Sequence, residues 1–92
     1  NGKQVSNSGA TMFSKGDVST DNWLIECKTK TSYSESHTIK KSWLEKNAEE
    51  AFAMDKQYSA LAFNFGPHTD NYYIVDEKTF IEMKNALEES YE

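Results

Sequence analysis

The chain contains no arginine; all ten of its basic residues are lysines. Bidentate reading of base edges by a guanidinium fork is therefore excluded. Any contact with nucleic acid falls to sequence-independent attraction between ammonium groups and phosphates. A single cysteine, Cys27, excludes an internal disulfide and fits a reducing compartment. No apolar run reaches the roughly 20 residues that a membrane span needs, and no leader pattern is recognisable. The expectation is a cytoplasmic chain with no membrane partner. The one proline follows Gly66, and the Gly66-Pro67 pair marks the end of a hydrophobic stretch.

What is present is enough for one small domain spanning residues 1–92. Of its 92 residues, 37% are hydrophobic and 13% aromatic, well above a disordered composition. A chain of this size buries only about 60–65% of its unfolded surface, so a partner subunit would add stability. The net charge of −5 is unevenly spread. Residues 1–47 carry seven lysines against five acids, and residues 48–92 carry three lysines against ten. Phosphate binding follows local rather than total charge, so the first half is the candidate nucleic-acid face.

Residues 1–16 are polar and read as loop, with a short strand at Thr11-Met12-Phe13. Val18–Thr20 and Trp23–Thr29 read as two strands of a hairpin. Ser36 is the expected N-cap of a helix running to Lys56, with Ile39, Trp43, Leu44, Ala48, Ala51 and Phe52 on its apolar side and Lys41, Glu45, Asn47 and Glu49 opposite. Tyr58–Phe65 reads as a buried strand and Tyr72–Val75 as another. Glu77–Tyr91 reads as an amphipathic helix with Phe80, Ile81, Met83 and Leu87 on its apolar side. The order β-β-α-β-β-α predicts an α/β fold: a central mixed sheet flanked by helices.

Side chains alternate along a strand, so Trp23, Ile25 and Cys27 face one way and Leu24, Glu26 and Lys28 the other. A fold-back at Thr20-Asp21-Asn22 would bring Asp17 across from Glu26 and Lys28. Two carboxylates and an ammonium would then meet, a combination suited to a divalent ion and an activated water at a phosphodiester. Taken singly, Asp17 is also an ordinary turn residue after Gly16, and a Glu-x-Lys pair is commonly a solvated strand face. Their conjunction favours a site.

Ser8-Gly9-Ala10, Lys15-Gly16-Asp17-Val18 and Ile25-Glu26-Cys27-Lys28, followed by a helix with Trp43-Leu44 and a hydrophobic strand, resemble the PD-(D/E)XK nuclease superfamily. Within it the chain is similar to the small Holliday-junction resolvases of phage and archaeal type. The resemblance implies a restriction-endonuclease-like core. It implies Asp17 and Glu26 as carboxylate ligands of Mg2+, for which Mn2+ can substitute, with the Cys27 carbonyl completing that side of the coordination shell. Lys28 would orient or help deprotonate the attacking water. The implied partners are a four-way DNA junction and a second copy of the chain; if phage-encoded, the protein would act in the host cytoplasm. Family members commonly carry a further acid on an upstream helix. None of the sixteen residues before Asp17 is acidic, so that ligand is expected from a preceding helix or another subunit, with Gln4 the nearest polar candidate.

Ser8 and Gly9 read equally as a flexible loop or as phosphate contacts through N–H and hydroxyl groups. Lys15 and Lys30 would extend a positive strip along the DNA backbone. Lys40 and Lys41 open the expected helix, where they oppose its dipole; they read as phosphate contacts or as a solvated face. Trp43 and Phe52 fit core packing, the Tyr72-Tyr73 pair fits strand packing, and Cys27 reads as a small buried side chain rather than a nucleophile. His37 reads as a helix-start residue and His68 as a loop residue, with no zinc spacing between them. The rivals are another nuclease of the same superfamily and a non-catalytic DNA-binding or interaction module.

Overall fold

Among the described residues, four strands and two helices follow from the period-2 and period-3.6 patterns of the chain. The computed structural model describes residues 17–91. Strand β1 (Val18–Ser19) turns at residues 20–22 into β2 (Trp23–Lys28). Thr20 closes the turn: its N–H donates to the Trp23 carbonyl at 2.9 Å, and its hydroxyl accepts from the Trp23 N–H at 3.1 Å. Helix α1 (Lys41–Ala53) crosses to β3 (Tyr58–Phe63), then β4 (Tyr72–Ile74) and helix α2 (Glu77–Glu89) follow. The sheet order is β1-β2-β3-β4, with β1–β2 antiparallel, β2–β3 parallel and β3–β4 antiparallel. A parallel pair needs a crossover, and α1 supplies it. The mixed α/β sheet expected from the element order is present, with two helices.

The two central strands carry the core. Ile25, Ala60 and Ala62 cluster on one sheet face with Val18, Trp23, Cys27 and Val75 packed around them. Leu24 and Leu61 are buried on the other face, against α1. Small alanines in β3 let Ile25, Trp23 and Val75 pack closely on that first face. Among the described residues no helix is long and apolar enough to cross a membrane.

Helix α1 is shorter than its sequence pattern predicts, starting at Lys41 rather than after Ser36 and ending at Ala53. The preceding segment is held extended by tertiary bonds. The Ser34 N–H donates to the Phe65 carbonyl at 2.9 Å, and His37 Nδ1 lies 2.7 Å from the Asn64 carbonyl oxygen. That oxygen can only accept, so Nδ1 carries the proton. His37 is thus an anchoring side chain, not a helix-start residue. Asp55, at φ 64°, then turns the chain out of the helix.

The phase of α1 also differs. Asn47, expected on the polar side, is 2% exposed, and Phe52, expected in the core, is 86% exposed. The inward stripe runs through half-buried Leu44 and buried Asn47 and Ala51; Ala48, expected on the apolar side, is exposed, and Phe52 lies about 100° past Ala51. Asn47 is tolerated because its Nδ2 donates to the Ala60 carbonyl at 3.0 Å and the Leu24 carbonyl at 3.4 Å, clamping α1 to both parallel strands. Helix α2 is N-capped by Asp76, which accepts from the Thr79 N–H at 3.0 Å. Its Phe80, Ile81, Met83 and Leu87 remain largely exposed, against expectation. The helix meets the sheet through the buried Thr79, through Met83 in a groove with Trp23, Ile25 and Tyr73, and through a Tyr58–Glu82 hydrogen bond.

Candidate active site

The β1–β2 register pairs Val18 with Ile25 and Ser19 with Leu24. Carried one residue back from Val18, it sets Asp17 opposite Glu26, and residues directly opposite in an antiparallel pair project to the same face. The chain does fold back at residues 20–22. Lys28, two residues along β2, shares Glu26's face, and its Nζ is 3.1 Å from Glu26 Oε2. Their side chains are 30% and 19% exposed, sheltered but still reachable by solvent.

A second contact fixes Lys28. Its Nζ lies 4.5 Å from the centre of the Trp43 ring in α1, and Lys40 Nζ lies 5.8 Å from the same ring. An ammonium over an indole face is attracted to the ring quadrupole. Trp43, read from sequence as core, is half-buried and serves as the platform for two ammonium groups. Its place on a helix was legible; its position in the first turn follows from the later helix start at Lys41, and its approach to β2 depends on how α1 docks.

Cys27 points to the opposite sheet face, into the core cluster. Burial pushes its thiol up to about 11, with the neighbouring carboxylates of Asp17 and Glu26 adding to the effect. A thiol held so far above neutrality is a poor nucleophile; the side chain, read as buried, is half-buried against the core cluster.

The remaining expected residues divide. Lys40 occupies the N-cap position of α1 without a side-chain cap bond, and no acid stands in the first turn. Lys41 points to solvent and pairs with Glu45 at 3.6 Å, a surface i,i+4 pair of small energetic value. Lys30 lies beyond the end of β2, where its N–H donates to Asn64 Oδ1 at 3.2 Å. Ser8, Gly9 and Lys15 lie outside the described residues, as does the expected strand at Thr11-Met12-Phe13.

Among the described residues no group of three or more His, Cys, Asp or Glu side chains is arranged to hold a metal ion. The available donors are two carboxylates and backbone oxygen. That set fits Mg2+, which keeps several waters and takes one or two protein carboxylates together with substrate phosphate. It does not fit zinc, which requires three or four nitrogen, sulfur or carboxylate ligands. Against known proteins, no family model matches the chain, and neither a curated protein nor a solved structure shows significant similarity to it.

Proposed function

We propose that the chain is a Mg2+-dependent, structure-selective DNA endonuclease that resolves four-way junctions, built on a restriction-endonuclease-like core and acting as a homodimer. The observation that carries this reading is the Glu26–Lys28 pair at 3.1 Å, with Asp17 set opposite Glu26 by the hairpin register. The motif resemblance supplies the reaction class. Two scissile strands in a symmetric junction call for two such sites, one from each copy.

Asp17 and Glu26 would hold the ion, with the Cys27 carbonyl as a third oxygen. When bound, the ion supplies positive charge that lowers the pKa of a coordinated water and offsets charge on the phosphate. Lys28, aimed by Glu26 and Trp43, donates to the attacking water and to the developing phosphorane oxygens. Lys40 adds a cation on the same side and attracts the DNA backbone. Because every such contact is an ammonium–phosphate one, selectivity arises from the shape of the branch rather than from base sequence.

The test is nicking of a synthetic four-way junction in Mg2+, with Mn2+ as the alternative ion. Cleavage should vanish in Asp17→Asn and in Glu26→Gln, while Lys28→Ala should lose turnover and keep metal affinity. Tight junction binding with no cleavage in either ion would replace the enzyme by a non-catalytic binding module.

A further inference from the structure

Two loops meet beyond the carboxyl ends of the parallel strands β2 and β3, the end of the sheet where ligands bind in open α/β folds. Gly66, at φ 131°, lets them touch: a Cβ there would lie 2.6 Å from the Tyr33 Cα. The contact is then fastened. Phe65 N–H donates to Thr69 Oγ1 at 3.1 Å, and that hydroxyl donates to the Gly66 carbonyl at 2.7 Å. Buried Asn64 accepts from the N–H groups of Lys30 and Gly66 at 3.2 and 3.1 Å. His68 is held at φ 64°, a conformation that non-glycine residues seldom adopt outside constrained loops. The result is a cavity of about 350 Å3 lined by Tyr33, Ser34, Phe65, His68, Thr69 and Tyr72. This is the lower end of the small-ligand range.

The lining chemistry selects a ligand class. Tyr33 is 70% exposed and Tyr72 48% exposed, so both rings border the opening while remaining in solvent. Among the described residues the charged groups at the rim are Glu35 and Asp70, and no lysine lines the cavity. The cavity itself therefore excludes a phosphate, and a nucleotide entering it does so base first, its phosphates outside the Glu35–Asp70 rim. Aromatic walls with carboxylate and hydroxyl acceptors suit a flat heterocycle whose edge carries N–H donors. Position completes the argument. Lys28, Phe63 and Tyr72 are register partners across three strands and share a face. At about 4.8 Å per strand, Tyr72 stands ~10 Å across the sheet from Lys28, the length of roughly three stacked base steps.

We propose that this cavity receives one unpaired nucleobase of the branched strand, stacked on Tyr33 and Tyr72, while the scissile phosphate lies at Lys28. The identity of the strand rests on the endonuclease reading above; the cavity and its chemistry do not. The probe is a four-way junction carrying 2-aminopurine at one to four nucleotides from the branch, titrated with the full chain in EDTA so that nothing is cut. The expected result is a fluorescence change at one position. Tyr33→Ala and Tyr72→Ala should each remove it and weaken binding roughly 5- to 150-fold, with the fold verified by circular dichroism. Glu26→Gln should preserve it. A chain that cuts the junction but leaves the fluorescence unchanged, or a signal that survives the double Tyr variant, overturns the pocket and leaves the hydrolase standing. A Tyr-dependent signal in a chain that never cuts keeps the pocket and removes the hydrolase. No binding of the probe at all overturns both.

Discussion

Asn47 gives the sharpest test of how the site is assembled, because it ties the helix bearing Trp43 to the strands bearing Lys28. Its Nδ2 makes one good bond, 3.0 Å to the Ala60 carbonyl, and one long one, 3.4 Å to the Leu24 carbonyl. Its Oδ1 is buried without a protein partner. Asn47→Leu keeps the volume, removes both donations and also relieves the orphaned oxygen. Net hydrogen bonds are worth about 1 kcal/mol each and an orphaned buried group costs about 1–3 kcal/mol, so the two effects roughly cancel and the expected change is within about 1 kcal/mol of the parent. Asn47→Ala adds a cavity and should lose about 2–4 kcal/mol.

Asn47→Asp places a carboxylate against two carbonyl oxygens, so the folded state must keep it protonated. Its folded pKa then lies above the unfolded value of about 3.9. The variant is least impaired below that pH, and its deficit grows by about 1.4 kcal/mol per unit as pH rises through the gap. The assay is urea unfolding at pH 4 and pH 7, with thermal midpoints as a second readout at about 4–8 °C per kcal/mol for a domain of this size. The order at pH 7 should be Leu, Ala, Asp from most to least stable. An Asp variant as stable as the Leu variant at pH 7, or all three within about 0.5 kcal/mol of the parent, would refute the clamp.

Four further outcomes follow from the geometry. Removing the α2 cap with Asp76→Ala should cost about 1 kcal/mol at neutral pH. Its hydrogen bonds to Thr79 hold the Asp76 carboxyl below its ordinary 3.8, so the difference from the parent is full above that pH and disappears as pH falls further, read by urea unfolding. Cys27, raised from 9.0 to about 11 by burial and the nearby carboxylates, should react with a disulfide reagent at pH 8 roughly 100-fold more slowly than the urea-unfolded chain; a native rate within tenfold contradicts the placement. Trp43→Leu should lower kcat several-fold with junction Kd unchanged, through about 0.5–2 kcal/mol of lost hold on Lys28, and Trp43→Phe should recover part of it. Lys40→Ala should reduce the salt slope of junction binding by about 1, whereas Lys41→Ala, whose ammonium already pairs with Glu45, should leave it nearly unchanged.

Local patterns announced most of the elements. The alternation in β2 put Glu26 and Lys28 side by side without any tertiary information, and the turn at residues 20–22 was legible as a fold-back. The Tyr58–Phe65 run read as a buried strand, and the observed strand ends two residues earlier, at Phe63. What failed did so where distant groups intervene. Ser36 carries a good cap signal, but bonds from Ser34 and His37 to the 64–65 backbone hold that stretch extended. Asn47 read as solvent-facing because a sequence does not display the two carbonyls waiting beneath it. Phe52 and the Phe80–Leu87 stripe read as core because hydrophobicity reports which side chains favour burial, not whether a neighbour arrives to cover them. Tyr72 read as packing and is half outside. Trp43 was read as a helical core residue and is half-buried; its partners come from a strand and from the residue at its own helix start.

The edges of the sheet carry one more implication. Among the described residues its outer strands are β1, of two residues, and β4, of three. So little exposed ladder offers few unpaired N–H and C=O groups to an incoming strand. Two molecules joining as proposed would gain almost nothing from extending one continuous sheet between them at β1 or β4. Their association would have to come from side-chain surfaces, which leaves the Asp17 hairpin open to a bulky nucleic acid.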